Sequence, residues 1–310
     1  MMGRYILQRM AYMLITLWVI ITFTFFLMHS MPGSPLQNVE KIPQELQEAI
    51  LKEYGLDKPL PVQYVQFLGN LAQGSLGYSF KYDGRSVTDL LMQGFPASAQ
   101  LGVQSIIFGS LIGVLLGSIA ALRRGTWVDN TANVISVLGY SVPSFVIATL
   151  LSYYVGVKWG ILPTGLWGSF EHTILPTLSL SFLVIATIAR YIRTEMLEVL
   201  GQDYMKTAKA KGLSRTASLG RHALRNALIP AVTVMGPLVI GLITGSLVVE
   251  QIFAVPGMGW MFVESIQVKD YTVIMGVTIF YSALLIVSIF LIDVLYGVID
   301  PRIRISGAKE

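Results

Sequence analysis

The sequence predicts an all-α polytopic membrane protein with six transmembrane helices, and three observations carry that expectation. The first is composition: 54% of the 310 residues are hydrophobic and 13% are charged, against about 25% charged in soluble domains. The second is that six runs contain no Asp, Glu, Lys or Arg: Met10–Ser30, Leu90–Leu122, Asn130–Val157, His172–Ala189, Asn226–Val249 and Tyr271–Ile292. At about 1.5 Å per residue, a helix needs about 20 apolar residues to cross a hydrocarbon core of roughly 30 Å. Buried helices of a soluble core do not recur six times at that length.

The third observation is the sign of the charge between the runs. Arg4 and Arg9 hold the amino terminus in the cytoplasm, and alternating sides from there places 1–9, 123–129, 190–225 and 300–310 inside. These segments hold 15 of the 22 Lys and Arg residues and six acids, a net of +9. The outside segments carry seven basic and eleven acidic residues, a net of −4, and Asp293 in the last run completes the formal +4. Both termini are therefore expected in the cytoplasm. The basic pI of about 9.2 then reports orientation, and a nucleic-acid binder with a basic surface is excluded. The absence of cysteine excludes a disulfide-stapled secreted fold and a cysteine-ligated metal site.

Taken in order, the first run reads as a retained span. Its apolar stretch Tyr12–Met28 is longer than a signal-peptide core, and no A-x-A-like site follows His29-Ser30-Met31. The outside segment from Met31 to about Pro96 has ordinary soluble composition. Pro32-Gly-Ser-Pro35 breaks the chain, residues 43–54 have helical spacing with Pro43 in the first turn, and Gly55, Pro59 and Pro61 end that helix. A second helix over Val62–Leu71 leads to the turn Gln73-Gly-Ser-Leu-Gly-Tyr78. An external cap and a plain connector fit this segment equally.

In the second run Gly109, Gly113 and Gly117 recur four apart, as do Gly241 and Gly245 in the fifth. Such faces let backbones approach closely, since lipid gives helices no hydrophobic reason to associate. Pro143 in the third run and Pro237 in the fifth are expected to kink their helices or leave carbonyls unpaired. Breaks of that kind serve packing, or line a transport pathway; on the second reading the wall includes Pro143, Pro237, Gly241 and Gly245. In the fourth run, Ile174–Ala189 is apolar apart from small hydroxyl residues. The inside segment that follows continues as a helix over 194–211, with Gly212 as its stop and Ser214 as the cap of the next helix. Ala208, Ala210 and Gly212 make its middle small-sided. A small cationic helix of this kind suits a groove on another protein, or anionic lipid headgroups.

Catalytic patterns are missing. No G-x-x-x-x-G-K-[ST], H-E-x-x-H or G-x-S-x-G occurs, and His29, His172 and His222 stand far apart. No catalytic residue, metal site or bound cofactor is expected of this chain. Asp293 is either an intramembrane functional acid or a residue of the inner interface.

The run Asp203-Tyr-Met-Lys-Thr-Ala-Lys-Ala-Lys-Gly212, with Arg221-His-Ala-Leu-Arg-Asn-Ala-Leu-Ile-Pro230, resembles the EAA loop of ABC importer permeases, in the form of the oligopeptide/dipeptide family's B-type subunit. Thr207 and Ala208 occupy its small positions and Gly212 its glycine; Lys206 replaces the usual acid, and the spacing to Pro230 is longer, as in the peptide branch. Met31-Pro-Gly33, Tyr54-Gly-Leu-Asp-Lys-Pro-Leu60, Gly74-Ser-Leu-Gly-Tyr-Ser79, Val249-Glu-Gln-Ile-Phe-Ala-Val-Pro-Gly-Met-Gly259, Lys269-Asp-Tyr271 and Asp300-Pro-Arg-Ile-Arg304 extend the resemblance along nearly the whole chain. It implies a type I ABC importer permease fold in a bacterial cytoplasmic membrane, with segments 1–31, 32–93, a permease core at 94–304 containing coupling loop 190–230, and a tail at 305–310.

It also implies partners: a second homologous permease subunit, two cytosolic ATPases that use ATP and magnesium, an extracytoplasmic solute-binding protein, and membrane lipid. Asp203, Lys206, Thr207, Ala208, Gly212 and Ser214 would form the ATPase-coupling element, and peptides would be the cargo. Nickel, metallophores or oligosaccharides are the alternative within the family. A self-sufficient secondary transporter, or more distantly a membrane enzyme, is the alternative outside it.

Overall fold

The computed structural model describes residues 2–30, 52, 55–82, 84–243 and 245–299. The helix expected at 43–54 lies outside the described residues apart from Lys52, as does the 32–35 break. The first helix, α1, spans Met2–Ser30. Pro59 precedes α2 (Leu60–Ala72), whose first turn tolerates Pro61 because the amide it lacks has no helical partner there. Helix α3 is Val87–Leu122. Helices α4 (Trp127–Ser141) and α5 (Ser144–Leu151) follow, the latter running on as a π-helical turn through Ser152–Lys158.

Next come α6 (Phe170–Leu200), α7 (Asp203–Ala210) and the short α8 (Arg215–Ser218). A π-helical turn, Leu219–Leu224, joins α8 to α9 (Arg225–Ile243). The last three helices are α10 (Leu247–Ile252), α11 (Met258–Gln267) and α12 (Tyr271–Ile299).

Among the described residues four helices are long and apolar enough to cross a membrane, and five if α4 and α5 count as one broken span. The fifth charge-free run holds all of α9 but its first residue and, beyond a break, the first half of α10. The third run is more than kinked: its helices meet at 103°. Pro143 drives Val142 into extended geometry (φ −91°, ψ 118°) because its ring excludes the helical conformation from the residue before it. Pro143 then leads α5.

The chain divides into two compact units, Met1–Pro96 with Gly257–Glu310, and Ala97–Pro256. In the first, α1 packs along α12. Phe25 and Met28 share a buried cluster with Tyr271, Ile274 and Met275, and Tyr64 and Phe67 of α2 pack against it. Polar bonds add to this: Thr22 Oγ1 to Tyr64 Oη at 2.6 Å and His29 Nε2 to Gln63 Oε1 at 3.1 Å. A second cluster joins Val87, Leu90 and Leu91 to Met258, Met261, Val273 and Val277.

In the second unit α6 is the centre, with α4, α5 and α9 packed on it. Burial covers 67% of the apolar stretch of α6 but 17% of that of α1. The glycine stripe of α3 faces α6. A Cβ on Gly109 would lie 2.6 Å from Val184 Cβ, one on Gly113 2.8 Å from Ile188 Cβ, and one on Gly117 2.5 Å from the Ala189 carbonyl oxygen. Where the backbones close up, Ser181 Oγ donates to the Ser105 carbonyl at 3.3 Å and Ser105 Oγ to the Thr177 carbonyl at 3.3 Å.

Candidate functional site

The segment joining α6 to α8 has the local structure its residues dictate. The Gly201 amide donates to the Glu198 carbonyl and the Gln202 amide to the Val199 carbonyl, each at 3.1 Å, closing α6. Asp203 opens α7, where a carboxylate meets the positive end of the helix dipole. Gly212 takes φ +82°, a left-handed conformation that glycine adopts without steric cost and that ends the helix. The Ser214 hydroxyl then accepts the Ala217 amide at 3.3 Å and caps α8. Asp203, Lys206 and Thr207 are exposed. Lys206 Nζ bonds Asp203 Oδ1 at 2.8 Å, and Thr207 Oγ1 donates to the Asp203 carbonyl at 3.1 Å. Ala208 lies in α7, its side chain outside the described residues.

Underneath, Met205 is buried in one cluster with Ile192, Met196 and Val199 of α6 and Ala223 and Ala227 below α8. Asn226 Nδ2 donates to Tyr204 Oη at 3.1 Å. So α7 is a short surface helix with a polar outer face, packed against α8 and carrying one buried methionine. Sequence reading singled out the outer face and passed over Met205 and Tyr204; an apolar residue beside exposed charges in an eight-residue helix was the available signal.

The four residues considered for a pathway lie on α9 and at two helix breaks, all within the second unit. Pro143 sits at the 103° break between α4 and α5, and Pro237 and Gly241 lie within α9. The side chain of Pro237 is outside the described residues. Gly245 occupies the break before α10 with φ +98°, and a Cβ there would come 2.6 Å from Glu250 Oε1. Glu250 itself is buried at 1% exposure and accepts Ser98 Oγ at 2.7 Å. At the edge of its charge-free run, Glu250 reads in the sequence as one more outside charge. The side chain of Asp293, in α12, is likewise outside the described residues.

Two further ionic groupings escaped the sequence. Within the second unit, Arg193 of α6 donates both Nε (2.6 Å) and Nη2 (2.9 Å) to the carboxylate of Asp129 in α4. The Gly125 amide adds a third bond at 3.0 Å. Within the first unit, Glu264 of α11 accepts Lys81 Nζ on one oxygen and Tyr82 Oη on the other. Asp270 is buried, accepting Ser79 Oγ at 2.5 Å and the Lys81 amide at 3.2 Å, and its other oxygen caps α12 at the Val273 amide. Burial pushes the Glu264 carboxyl upwards, but its bonds from Lys81 and Tyr82 and the Lys81 charge outweigh that and hold it below the ordinary value. Tyr82 is raised, by burial first and then by the bond to Glu264 and the carboxylates of Glu264 and Asp270. The 79–82 turn is thereby tied to the start of α12.

Among the described residues no group of three or more His, Cys, Asp or Glu side chains could hold a metal ion. His29 is spent on the Phe25 carbonyl (2.8 Å) and Gln63, and His172 bonds Ser169 Oγ at 2.8 Å beside the start of α6.

Comparison with known proteins places this architecture. Residues 113–305 match the family described as binding-protein-dependent transport system inner membrane component, and residues 2–102 match the N-terminal region of such membrane components. The chain is 46% identical over 304 residues to the dipeptide transport system permease protein DppB of Lactococcus lactis subsp. cremoris, covering 98% of this chain and 100% of that protein. The Bacillus subtilis dipeptide permease DppB is also 46% identical over 304 residues, 98% of this chain and 99% of that one. The Escherichia coli K12 oligopeptide permease OppB is 41% identical over 305 residues, 98% and 100%.

Among solved structures, the inward-facing MetNI methionine ABC transporter aligns with a TM-score of 0.53 at 18% identity, covering 69% of this chain and 97% of that one. An amino acid ABC transporter crystallised with histidines aligns at 0.53 and 15% identity, covering 67% and 93%. At these identities the likeness is one of fold. The chain belongs to the family of binding-protein-dependent transport system inner membrane components: it is a multi-pass, all-helical membrane permease, a transport component rather than an enzyme.

Proposed function

We propose that this chain is a pore-forming subunit of an ATP-driven importer that carries peptides delivered by an extracytoplasmic binding protein. The observation that carries the reading is the near-half identity, over practically its whole length, to permeases of dipeptide transport. Helix α7 supports it from the structure: a short helix with an exposed polar face follows a long spanning helix directly, and its Met205 belongs to the buried cluster that holds Ile192, Met196 and Val199. On this reading the termini and α7 lie on the cytoplasmic side, where Asp203, Lys206, Thr207, Ala208, Gly212 and Ser214 meet a separate ATPase. A second, homologous permease completes the pore, and a pair of ATPases supplies the hydrolysis of ATP. The breaks at Pro143 and around Gly245 are the parts of the second unit best suited to change shape, and with Pro237 and Gly241 they form the proposed pathway wall.

The test is growth of a strain lacking this gene on dialanine as sole source of required alanine, with wild type and Ala208→Glu returned on a plasmid. Wild type is expected to restore growth. Ala208→Glu should insert normally yet restore neither growth nor peptide-stimulated ATP hydrolysis. Growth of the deletion strain on dialanine and on longer alanine peptides, with no other peptide importer present, would overturn the peptide reading; normal growth with Ala208→Glu would overturn the coupling reading.

A further inference from the structure

We infer that the Asp129–Arg193 pair is a positioning latch that makes α4 follow α6 when α7 is displaced, so that uptake depends on it beyond its contribution to folding. The inference rests on the coupling role proposed for α7. Arg193 lies on α6 seven residues before its end at Leu200, about 10 Å along the axis. It shares that stretch with Ile192, Met196 and Val199, which belong to the same buried cluster as Met205 of α7. A push on α7 therefore reaches the part of α6 that carries Arg193.

From there the path to α4 is fixed by geometry. A guanidinium bound to both oxygens of a carboxylate sets orientation as well as distance, and Arg193 does this at 2.6 and 2.9 Å. Asp129 cannot yield, because its side chain is 3% exposed and also bound by the Gly125 amide at 3.0 Å. Farther along α4, a Cβ on Gly139 would lie 2.6 Å from Ala186 Cβ and 2.8 Å from the Phe182 carbonyl, so the helices touch backbone to backbone. Arg190 of α6 also stands over the Tyr140 ring at 6.0 Å. Helix α4 is thus joined to α6 near both of its ends and finishes at the 103° break of Pro143. The close approach at Gly139 resists compression only, whereas the ion pair also resists separation and rotation. It is the element that can pull.

The experiment uses the whole transporter, purified with its partners and reconstituted in liposomes, and reads dialanine taken up per ATP hydrolysed. Being a ratio, that figure does not depend on how much complex a variant yields. Asp129→Asn keeps the side chain's shape, Arg193→Gln shortens it while leaving it polar, and both remove the charge pairing. Each is expected to lower uptake per ATP at least fivefold while peptide-stimulated hydrolysis persists. Arg193→Lys, which keeps the charge and loses the fork, should fall between them and wild type. Ala208→Glu, run in parallel, should abolish stimulated hydrolysis itself. Wild-type uptake per ATP in the two neutral variants would overturn the latch, and so would a loss of uptake explained wholly by a lower yield of complex. If a neutral variant yields no complex, Arg193→Lys decides, and a wild-type ratio there overturns the inference. Wild-type behaviour of Ala208→Glu would instead strike at the coupling role beneath it.

Discussion

Asp129 and Glu264 each hold a cation from a distant segment, one within each compact unit, yet they do so in opposite styles. Asp129 joins two helices, its side chain 3% exposed, and takes an arginine fork on both oxygens. Glu264 joins a helix to a turn, is 22% exposed against 28% for Lys81, and divides its oxygens between an ammonium and a phenol. A dry fork leaves one geometry available, and a half-wet lysine contact leaves many. The comparison suggests that the second unit uses its ion pair to transmit position and the first uses its own to tether a loop.

The sharpest way to break that contrast is to remove one partner of the dry pair. Arg193→Ala strands a buried carboxylate and is expected to destabilise the fold by about 3–5 kcal/mol, read as a shift in the unfolding transition in mixed detergent micelles. Asp129→Ala should do less harm, because the Arg193 side chain is 24% exposed and can turn to water. Equal losses would mean that the carboxylate is less buried than its surroundings indicate.

Next in size is the packing that lets the second unit bring helices together. In Gly117→Ala the new methyl would lie 2.5 Å from a backbone oxygen, which cannot rotate aside. The expected loss is about 1–3 kcal/mol. Gly69→Ala in α2 is the control, since nothing lies within 4 Å of the position; there the change should be neutral or stabilise by up to about 1 kcal/mol. A loss at Gly69 matching that at Gly117 would remove close approach as the explanation.

How much of this was readable beforehand follows from the range of each interaction. The spans were legible because lipid imposes an unbroken run of apolar residues, and the stripe Gly109, Gly113, Gly117 because helical repetition is local. Gly212 and Ser214 announced a helix stop and a cap for the same reason. Asp129–Arg193 was invisible, since 64 residues separate the partners and each had already been given a role in the charge tally. Glu264, Lys81 and Tyr82 were hidden likewise by a separation of more than 180 residues. The 103° break went beyond the expected kink because the proline reads the same whether a helix bends or turns a corner. The family assignment was legible in the α7 segment, but Met205, the buried residue of that helix, is hydrophobic like half the chain and carries no mark of its own.

A smaller effect sharpens the wet side of the comparison. Glu264 is held below its ordinary value, so its stabilising bond is fully present above the unfolded-state pKa and is lost as pH falls through the folded one. Acidification from about pH 7 to about pH 3 should therefore loosen the 79–82 turn, at a cost of about 1 kcal/mol once partial exposure is allowed for. Hydrogen exchange at the Lys81 and Tyr82 amides would show it, and Glu264→Gln should flatten the dependence. A dependence that survives in Glu264→Gln would remove this carboxyl as its source.

The smallest expected effect lies at α7. Lys206 and Asp203 form an ion pair by distance, yet their side chains are 76% and 93% exposed. Pairs this wet contribute between nothing and about 0.5 kcal/mol. Lys206→Met should therefore leave the unfolding transition where it is, in contrast with Arg193→Ala on the adjoining helix. That makes it a clean probe of the outer face, because any change in peptide-stimulated ATP hydrolysis cannot come from a weakened fold. If stability and hydrolysis both stay at wild-type values, Lys206 is no part of the ATPase contact, and the interface rests on the small residues beyond it. If hydrolysis falls while stability holds, the charge is recognised by the partner. The contrast between the two ion pairs would then extend to a third, exposed kind, kept for what it presents outwards.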